Sequence, residues 1–496
     1  MSRLDRREFL ERSGRGALGV SLTLSGLARS SGSTAGRRPN LLVVFPDQMR
    51  THSLGVMGED PVQTPHLDRL VRESLFLPQA ISNYPICSPF RAQFLTGMYP
   101  HSNGVIGNCN TSGTEHRIEL RRDQMCWSDV LNAEGYSLGY IGKWHLDAPR
   151  RPYVKSSNNT DDFAWNEWCP PERRHGFEFW YAYGTYDQHL NPMYWATDSS
   201  RDDPTWVHEW GPEHEADLAL RFIRNEGGRY RDRDRPFALV VSMNPPHMPY
   251  DQVPDRYLDA YRDVPLEDLC NRPNIPPAGT RWGDYYRKHI RGYLAMTTGV
   301  DEQVGRVLAG LRGQGLEDDT IIVFMSDHGN CLGIHDMISK NTHYEESVRI
   351  PCLIRWPGVI PPRRDDLLLS VPDIMPTLLD LMGLRHRMPS EVEGASHAEL
   401  VRTGRGARPT SQLYMSVPYG QPAYGTRGVR TIRHTLVLGF GPDGPSETVL
   451  HDNDADPYQL ENRARQDPAV VRTLVTDELV PWLRKTSDPW LANLQR

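Results

Sequence analysis

Apolar positions in this chain come in short unbroken runs rather than in strict alternation. Residues 41–45, 137–141, 237–242, 320–325 and 352–354 are brief, β-branched or aromatic, and apolar on both faces, the pattern of strands buried inside a sheet. Amphipathic stretches separate them. Thr64-Pro65 opens a helix that runs to Glu73, residues 284–312 carry a long helical period ending near Gly313, and residues 372–381 form another. This alternation predicts an α/β fold, a large mostly parallel sheet with helices on both faces. From about residue 405 the pattern changes. Segments 429–432 and 435–438, broken by Gly441-Pro442-Asp443-Gly444, predict a small antiparallel sheet packed with a helix over residues 468–483.

The first 36 residues read differently from the rest. Asp5-Arg6-Arg7-Glu8-Phe9-Leu10 precedes a small, weakly apolar run over residues 16–28, the layout of a twin-arginine export signal. The expected organisation is therefore a signal over 1–36, a catalytic α/β domain over 37–404 and a small C-terminal α+β subdomain over 405–496. A translocase that carries folded cargo is the implied partner, and the periplasm or the exterior the implied location. That compartment permits disulfides among the seven cysteines, with at least one left over. Nucleic acid is excluded as a partner, because 56 Lys+Arg against 63 Asp+Glu leave a net charge of −7 and no basic field. No apolar stretch approaches the ~18 residues of a membrane span, so stable membrane insertion is excluded as well.

In an open parallel sheet, ligands bind beyond the carboxyl ends of the strands, which singles out the residues that follow each apolar run. Asp47 and Gln48 follow the first strand, Lys143 and His145 the second, His247 the third, and Asp327 and His328 the fourth. A lone Asp there is commonly a helix cap and a lone His a satisfied surface or core residue. Seven such groups on one rim point to chemistry. The sharpest local signal is Cys87-Ser88-Pro89-Phe90-Arg91 with Leu95-Thr96-Gly97 behind it. Pro89 suits the first turn of a helix and Gly97 its end, so Cys87 lies where the helix dipole favours negative charge. Such a cysteine reads either as a low-pKa nucleophile with Arg91 beside it or as a buried structural thiol.

Cys-x-Pro-x-Arg followed by Leu-Thr-Gly resembles the signature of the type I, formylglycine-dependent sulfatases of the alkaline phosphatase-like superfamily. Further blocks resemble that family in order: Pro39-Asn40-Leu41 to Gln48, Thr64-Pro65-His66-Leu67-Asp68, Gly142-Lys143-Trp144-His145, Pro246-His247-Met248-Pro249, Ser326-Asp327-His328-Gly329, Lys340, and Asp373 to Asp380. The resemblance implies that Cys87 is oxidised to formylglycine by a maturase and that the hydrated aldehyde attacks sulfur. It implies a divalent metal held by Asp47, Gln48, Asp327 and His328, with Arg91, Lys143 and Lys340 fixing the hydrate and the sulfate oxygens. His247 would then protonate the leaving oxygen, and His145 would take a proton from the second hydroxyl of the hydrate, expelling sulfate. Composition agrees on one point: the chain has only five lysines, and two of them are Lys143 and Lys340.

Two departures from the family pattern bear on the metal. Gln48 stands where a second Asp is usual, and His328 where Asn is frequent, so the site loses anionic character; the expectation remains Ca²⁺, with Mn²⁺ or Mg²⁺ as alternatives. The expected substrate is a sulfated saccharide. Residues 161–210 hold six of the 12 tryptophans (Trp165, Trp168, Trp180, Trp195, Trp206 and Trp210), with Tyr181, Tyr183, Tyr186 and Tyr194. That segment reads equally as a sugar-stacking surface or as an aromatic-stapled loop region. The competing functions are a phosphate or phosphonate monoester hydrolase of the same superfamily and a catalytically silent exported sugar-binding protein.

Overall fold

The computed structural model describes residues 38–495, so the expected export segment over 1–36 lies outside the described residues. Ten strands build the main sheet: β1 (Asn40–Pro46), β2 (Leu75–Phe76), β3 (Ser137–Lys143), β4 (Phe179–Tyr183), β5 (Met193–Ala196), β6 (Thr205–Trp206), β7 (Phe237–Met243), β8 (Thr320–Met325), β9 (Cys352–Arg355) and β10 (Arg363–Arg364). Their spatial order is β10-β2-β9-β8-β1-β7-β3-β4-β5-β6. The centre, β8-β1-β7-β3-β4, is wholly parallel, and antiparallel pairs β8–β9 and β4–β5 begin the two flanks. Every residue of β1, β3, β7 and β8 is buried, which is why these segments read as continuous apolar runs.

The expected helices are present at Pro65–Glu73 and Arg281–Gly313, the latter starting three residues before the periodicity suggested. Residues 371–381 divide into a short 3₁₀ turn, Val371–Asp373, and the helix Ile374–Leu381. A separate antiparallel sheet is formed by β11 (Ser411–Ser416), β12 (Gly425–Thr431), β13 (His434–Gly441) and β14 (Gly444–Asp452). The C-terminal helical stretch is interrupted: helices Pro468–Leu474 and Val480–Lys485 flank one wide π turn over Val475–Leu479.

One buried apolar cluster runs through both sheets, joining Leu41 and Val43 to Leu413, Val429, Leu436 and Trp490. The two are also pinned by charge. Arg430 on β12 grips Glu345 through Nε at 2.7 Å and a terminal nitrogen at 2.9 Å, and donates to Gln79 at 2.6 Å. Burial pushes the Glu345 carboxyl up, but Arg430 more than offsets this and holds it at about 2. The aromatic segment is mostly core: Trp180, Trp195, Trp210, Tyr183, Tyr186 and Tyr194 are buried, and of the tryptophans there only Trp206 is broadly exposed, at 50%. All seven cysteines are free thiols. Among the described residues no helix is long and apolar enough to cross a membrane.

Two consequences can be measured. Arg430→Gln leaves Glu345 buried without its main partner and should cost about 3 kcal/mol in urea unfolding; an unchanged midpoint would show the pair to be idle. His52 and His343 are both held neutral, with burial lowering each to about 3. Because an unfolded histidine titrates near 6.5, the unfolded chain binds more protons between pH 6.5 and 3, and stability falls as pH falls through that window. Each can contribute up to ~1.4 kcal/mol per pH unit, and replacing both with Gln should flatten this part of the stability–pH curve.

Candidate active site

Four parallel strands end on the same edge, and each delivers its next residues to one place. Asp47 and Gln48 leave β1, Lys143 ends β3, Asn244 follows β7, and Asp327 and His328 follow β8. Gly142 makes the β3 end possible: its φ is +98° and a Cβ there would lie 2.1 Å from the Ser242 carbonyl oxygen, so only glycine lets β3 and β7 close up beneath Lys143. Cys87 arrives from the other side, on the first turn of the helix Cys87–Thr96, which Gly97 ends in the left-handed conformation at φ +65°. Gln48 (φ 73°) and His145 (φ 52°) hold the same strained region without being glycine. Such backbone costs on the order of 1–3 kcal/mol and gathers at functional sites.

Around Cys87 Sγ stand Lys340 Nζ at 3.2 Å, His328 Nε2 at 3.5 Å, Lys143 Nζ at 3.8 Å and Asp47 Oδ1 at 3.8 Å. Asp47 is the hub. Its Oδ2 accepts from Lys143 at 2.7 Å and Arg91 at 3.2 Å, while Oδ1 lies 3.6 Å from Lys340. Arg91 is spent on the protein: one terminal nitrogen serves Asp47 and Asp327, and the other donates to Ser242 and to the Lys143 carbonyl. Lys143 also donates to Asn244 Oδ1 at 3.1 Å.

The electrostatics follow from this crowding in a buried place. Burial pushes Asp47 upward, yet Lys143 and Lys340 hold its carboxyl well below the usual range. Asp327 goes the other way, to about 7, because burial and the Asp47 charge both favour its protonated form. Burial and Asp47 push the Cys87 thiol up, but Lys143 and Lys340 prevail and hold it well below its ordinary value. His145 is 2% exposed, and burial lowers it to about 4 against the opposing pull of a hydrogen bond with Cys87.

The arrangement fits a metal ion. Ligand atoms of Asp47, Cys87, Asp327 and His328 all lie within 4.8 Å of one another. His328 Nδ1 donates to the Gly329 carbonyl at 3.0 Å, which leaves the Nε2 lone pair turned toward Asp47 and Asp327, 3.5 Å from each. Gln48 Nε2 donates to Ser339 Oγ at 2.6 Å, so its carbonyl oxygen faces Lys340 and the cluster. A cation held there would relieve the repulsion that lifts Asp327.

Of the ten residues singled out in the sequence, nine converge directly on this centre. His247 stands one step away, linked through Asp187 and Asn244 to Lys143, and it makes no hydrogen bond or ion pair with Cys87 or the carboxylates. Three contributors were not foreseen. Asn244 follows β7 directly, so the strand-end rule already contained it; Ser339 adjoins Lys340; Asp187 sits in a loop with no local signal.

With this geometry in view, comparison with known proteins is direct. The Sulfatase family profile matches residues 39–384, and a profile described as N-sulphoglucosamine sulphohydrolase, C-terminal, matches residues 333–484. The chain belongs to the sulfatase family and is an enzyme of that class. It is 39% identical to an endo-4-O-sulfatase of Bacteroides thetaiotaomicron over 91% of this chain and 93% of that one. It is 33% identical to an ulvan-active sulfatase of Formosa agariphila, covering 86% and 77%. A crystal structure of a sulfatase candidate from Bacteroides fragilis superposes with a TM-score of 0.89 at 46% identity, covering 92% of this chain and 97% of that one.

If the carboxylate cluster holds a divalent cation, then metal binding is coupled to stability without any turnover. Protein stripped with a chelator should gain about 2.7 kcal/mol at a cation concentration 100 times Kd, read as a rise in melting temperature, and Asp327→Asn should abolish most of the gain. Identical melting with and without Ca²⁺, Mn²⁺ or Mg²⁺ would reduce the cluster to a structural knot.

Proposed function

We propose that this enzyme removes sulfate from a sulfated carbohydrate, using residue 87 as formylglycine and a divalent metal. The observation that carries the reading is the convergence of Cys87 with two lysines, a buried arginine, a buried neutral His145 and a metal-type cluster at one strand edge. The names of the endo-4-O-sulfatase and ulvan-active relatives support a saccharide substrate. Ca²⁺ is proposed ahead of Mn²⁺ or Mg²⁺; held by Asp47, Gln48, Asp327 and His328, it would supply positive charge where the ester's oxygens develop negative charge. Formylglycine, once hydrated, would supply the oxygen nucleophile that a thiol does not.

This chain's own side chains do the rest. Lys143 and Lys340 face Cys87 from two sides, at 3.8 and 3.2 Å, and would bind the sulfate oxygens. Arg91 holds Asp47, Asp327 and the end of β3 in place, since its terminal nitrogens are already bonded there. His145 accepts the proton whose loss lets sulfate depart, and its depressed pKa keeps it neutral for that task at pH 7. His247 delivers a proton to the oxygen of the departing sugar. The expected export signal places this activity in the periplasm or outside the cell, with the maturase acting before translocation. Residues 37–404 then make up the catalytic domain and residues 405–496 the subdomain.

Mass analysis of the peptide spanning residue 87 in active enzyme should find an aldehyde in place of the thiol, and Cys87→Ala should end turnover with little change in melting temperature; an active preparation with an intact thiol would sink the proposal. Separately, His145→Ala should release one equivalent of desulfated product in a burst and then stall, with steady-state losses of about 10²–10⁴-fold. A slow linear rate without a burst would assign His145 to binding alone.

A further inference from the structure

Two loops meet on the side of the site where His247 stands. One follows β4 and contains Asp187 and His189; the other follows β7 and contains Asn244 and His247. Asp187 Oδ1 lies 3.4 Å from His247 Nδ1 and accepts from Asn244 Nδ2 at 3.2 Å, while Oδ2 accepts from Asn158 Nδ2 at 2.8 Å. His189 Nε2 lies 2.9 Å from the His247 carbonyl oxygen and fixes the backbone of the same residue. His247 Nδ1 itself donates to the Met248 carbonyl at 2.7 Å. Two acceptors, one of them charged, therefore face Nδ1, which assigns the N–H to that nitrogen and leaves Nε2 without a partner from this group. The His247 side chain remains 14% exposed, whereas the Asn244 that joins Asp187 to Lys143 is buried.

We infer that Asp187 is a positioning residue for His247: its carboxylate fixes the ring with Nδ1 inward, so that Nε2 is the nitrogen turned to the leaving oxygen and hands it a proton. Burial pushes the Asp187 carboxyl up, but its hydrogen bond with His247, together with the His247 and Lys143 charges, holds it well below the usual range, so it is ionised throughout the working pH. Through Asn244 the same carboxylate is tied to Lys143, which couples the side that protonates the leaving group to the side that binds sulfate. The inference rests on the reading of His247 as the proton donor.

The test uses the matured full-length enzyme with aryl sulfates whose phenols span a range of acidity, together with a sulfated saccharide. Asp187→Asn should lower kcat little for the most acidic phenol and roughly 10-fold or more for the poorest leaving groups, with KM nearly unchanged. The ratio of rates between two substrates is independent of the fraction of enzyme that is folded, so a destabilised variant still gives an answer. In a His247→Ala background, Asp187→Asn should add nothing further. A loss that is uniform across the series, or additive with His247→Ala, while His247→Ala alone is steeply dependent on the leaving group, overturns the role of Asp187 and leaves the proton donor in place. A flat series for His247→Ala overturns the donor reading, and the inference with it.

Discussion

Asp47 is fully buried and still charged, and much of the site is arranged to make that tolerable. A carboxylate removed from water is costly unless opposite charges and donors surround it. Here Lys143, Arg91 and Lys340 do so, each from a different element. The same three cations bring a helix start, a strand end and a loop within reach of Cys87. Neutralising Asp47 and concentrating positive charge around residue 87 are thus one interaction seen from two sides. An incoming sulfate adds negative charge where cations already outnumber the carboxylate that holds them.

Behind this knot lies a second buried network that braces the loops after β1 and β8. Arg50, two residues after Gln48, pairs with Asp60 at 2.7 and 2.9 Å and donates to the carbonyl of Asn330, two residues after His328. Arg272 lies 3.6 Å from Asp60 and 3.4 Å from Glu346, and Glu346 also accepts from Asn274 and lies 3.2 Å from His335. Tyr293, on the long helix, donates to the Gln48 carbonyl and accepts from the Arg50 amide. A rigid scaffold of this kind holds Gln48 at its strained φ and keeps the carboxylates close, where free loops would separate under their repulsion. Glu345, the neighbour of Glu346, is the residue that Arg430 grips from the second sheet, so the C-terminal strands brace the same framework.

How much of this was readable in the amino-acid order depends on how local each feature is. Buried parallel strands are short continuous apolar runs, and a sheet opened at its carboxyl edge puts the next residues in one place. Asp47, Gln48, Lys143, Asp327 and His328 were therefore legible from strand ends, and the short motif around Cys87 carried its own helix start and stop in Pro89 and Gly97. The aromatic segment was ambiguous because a tryptophan that stacks on a sugar and one that fills a core have the same local sequence. Burial of Trp180, Trp195 and Trp210 settled most of it toward packing.

What the sequence determined by itself was the fold class, the strand edge that bears the site and the identity of most of its groups, since these follow from runs, periods and short motifs. Only the tertiary structure decided how those groups are partnered and how far each is removed from water. Arg91 turned out to be committed to carboxylates and backbone, His145 to be buried beside Cys87, and His247 to pair with Asp187, a residue 60 positions earlier in a loop that no periodicity marks. Charge state and orientation are set by what surrounds a group in three dimensions, and for a buried side chain those surroundings come from several distant parts of the chain at once.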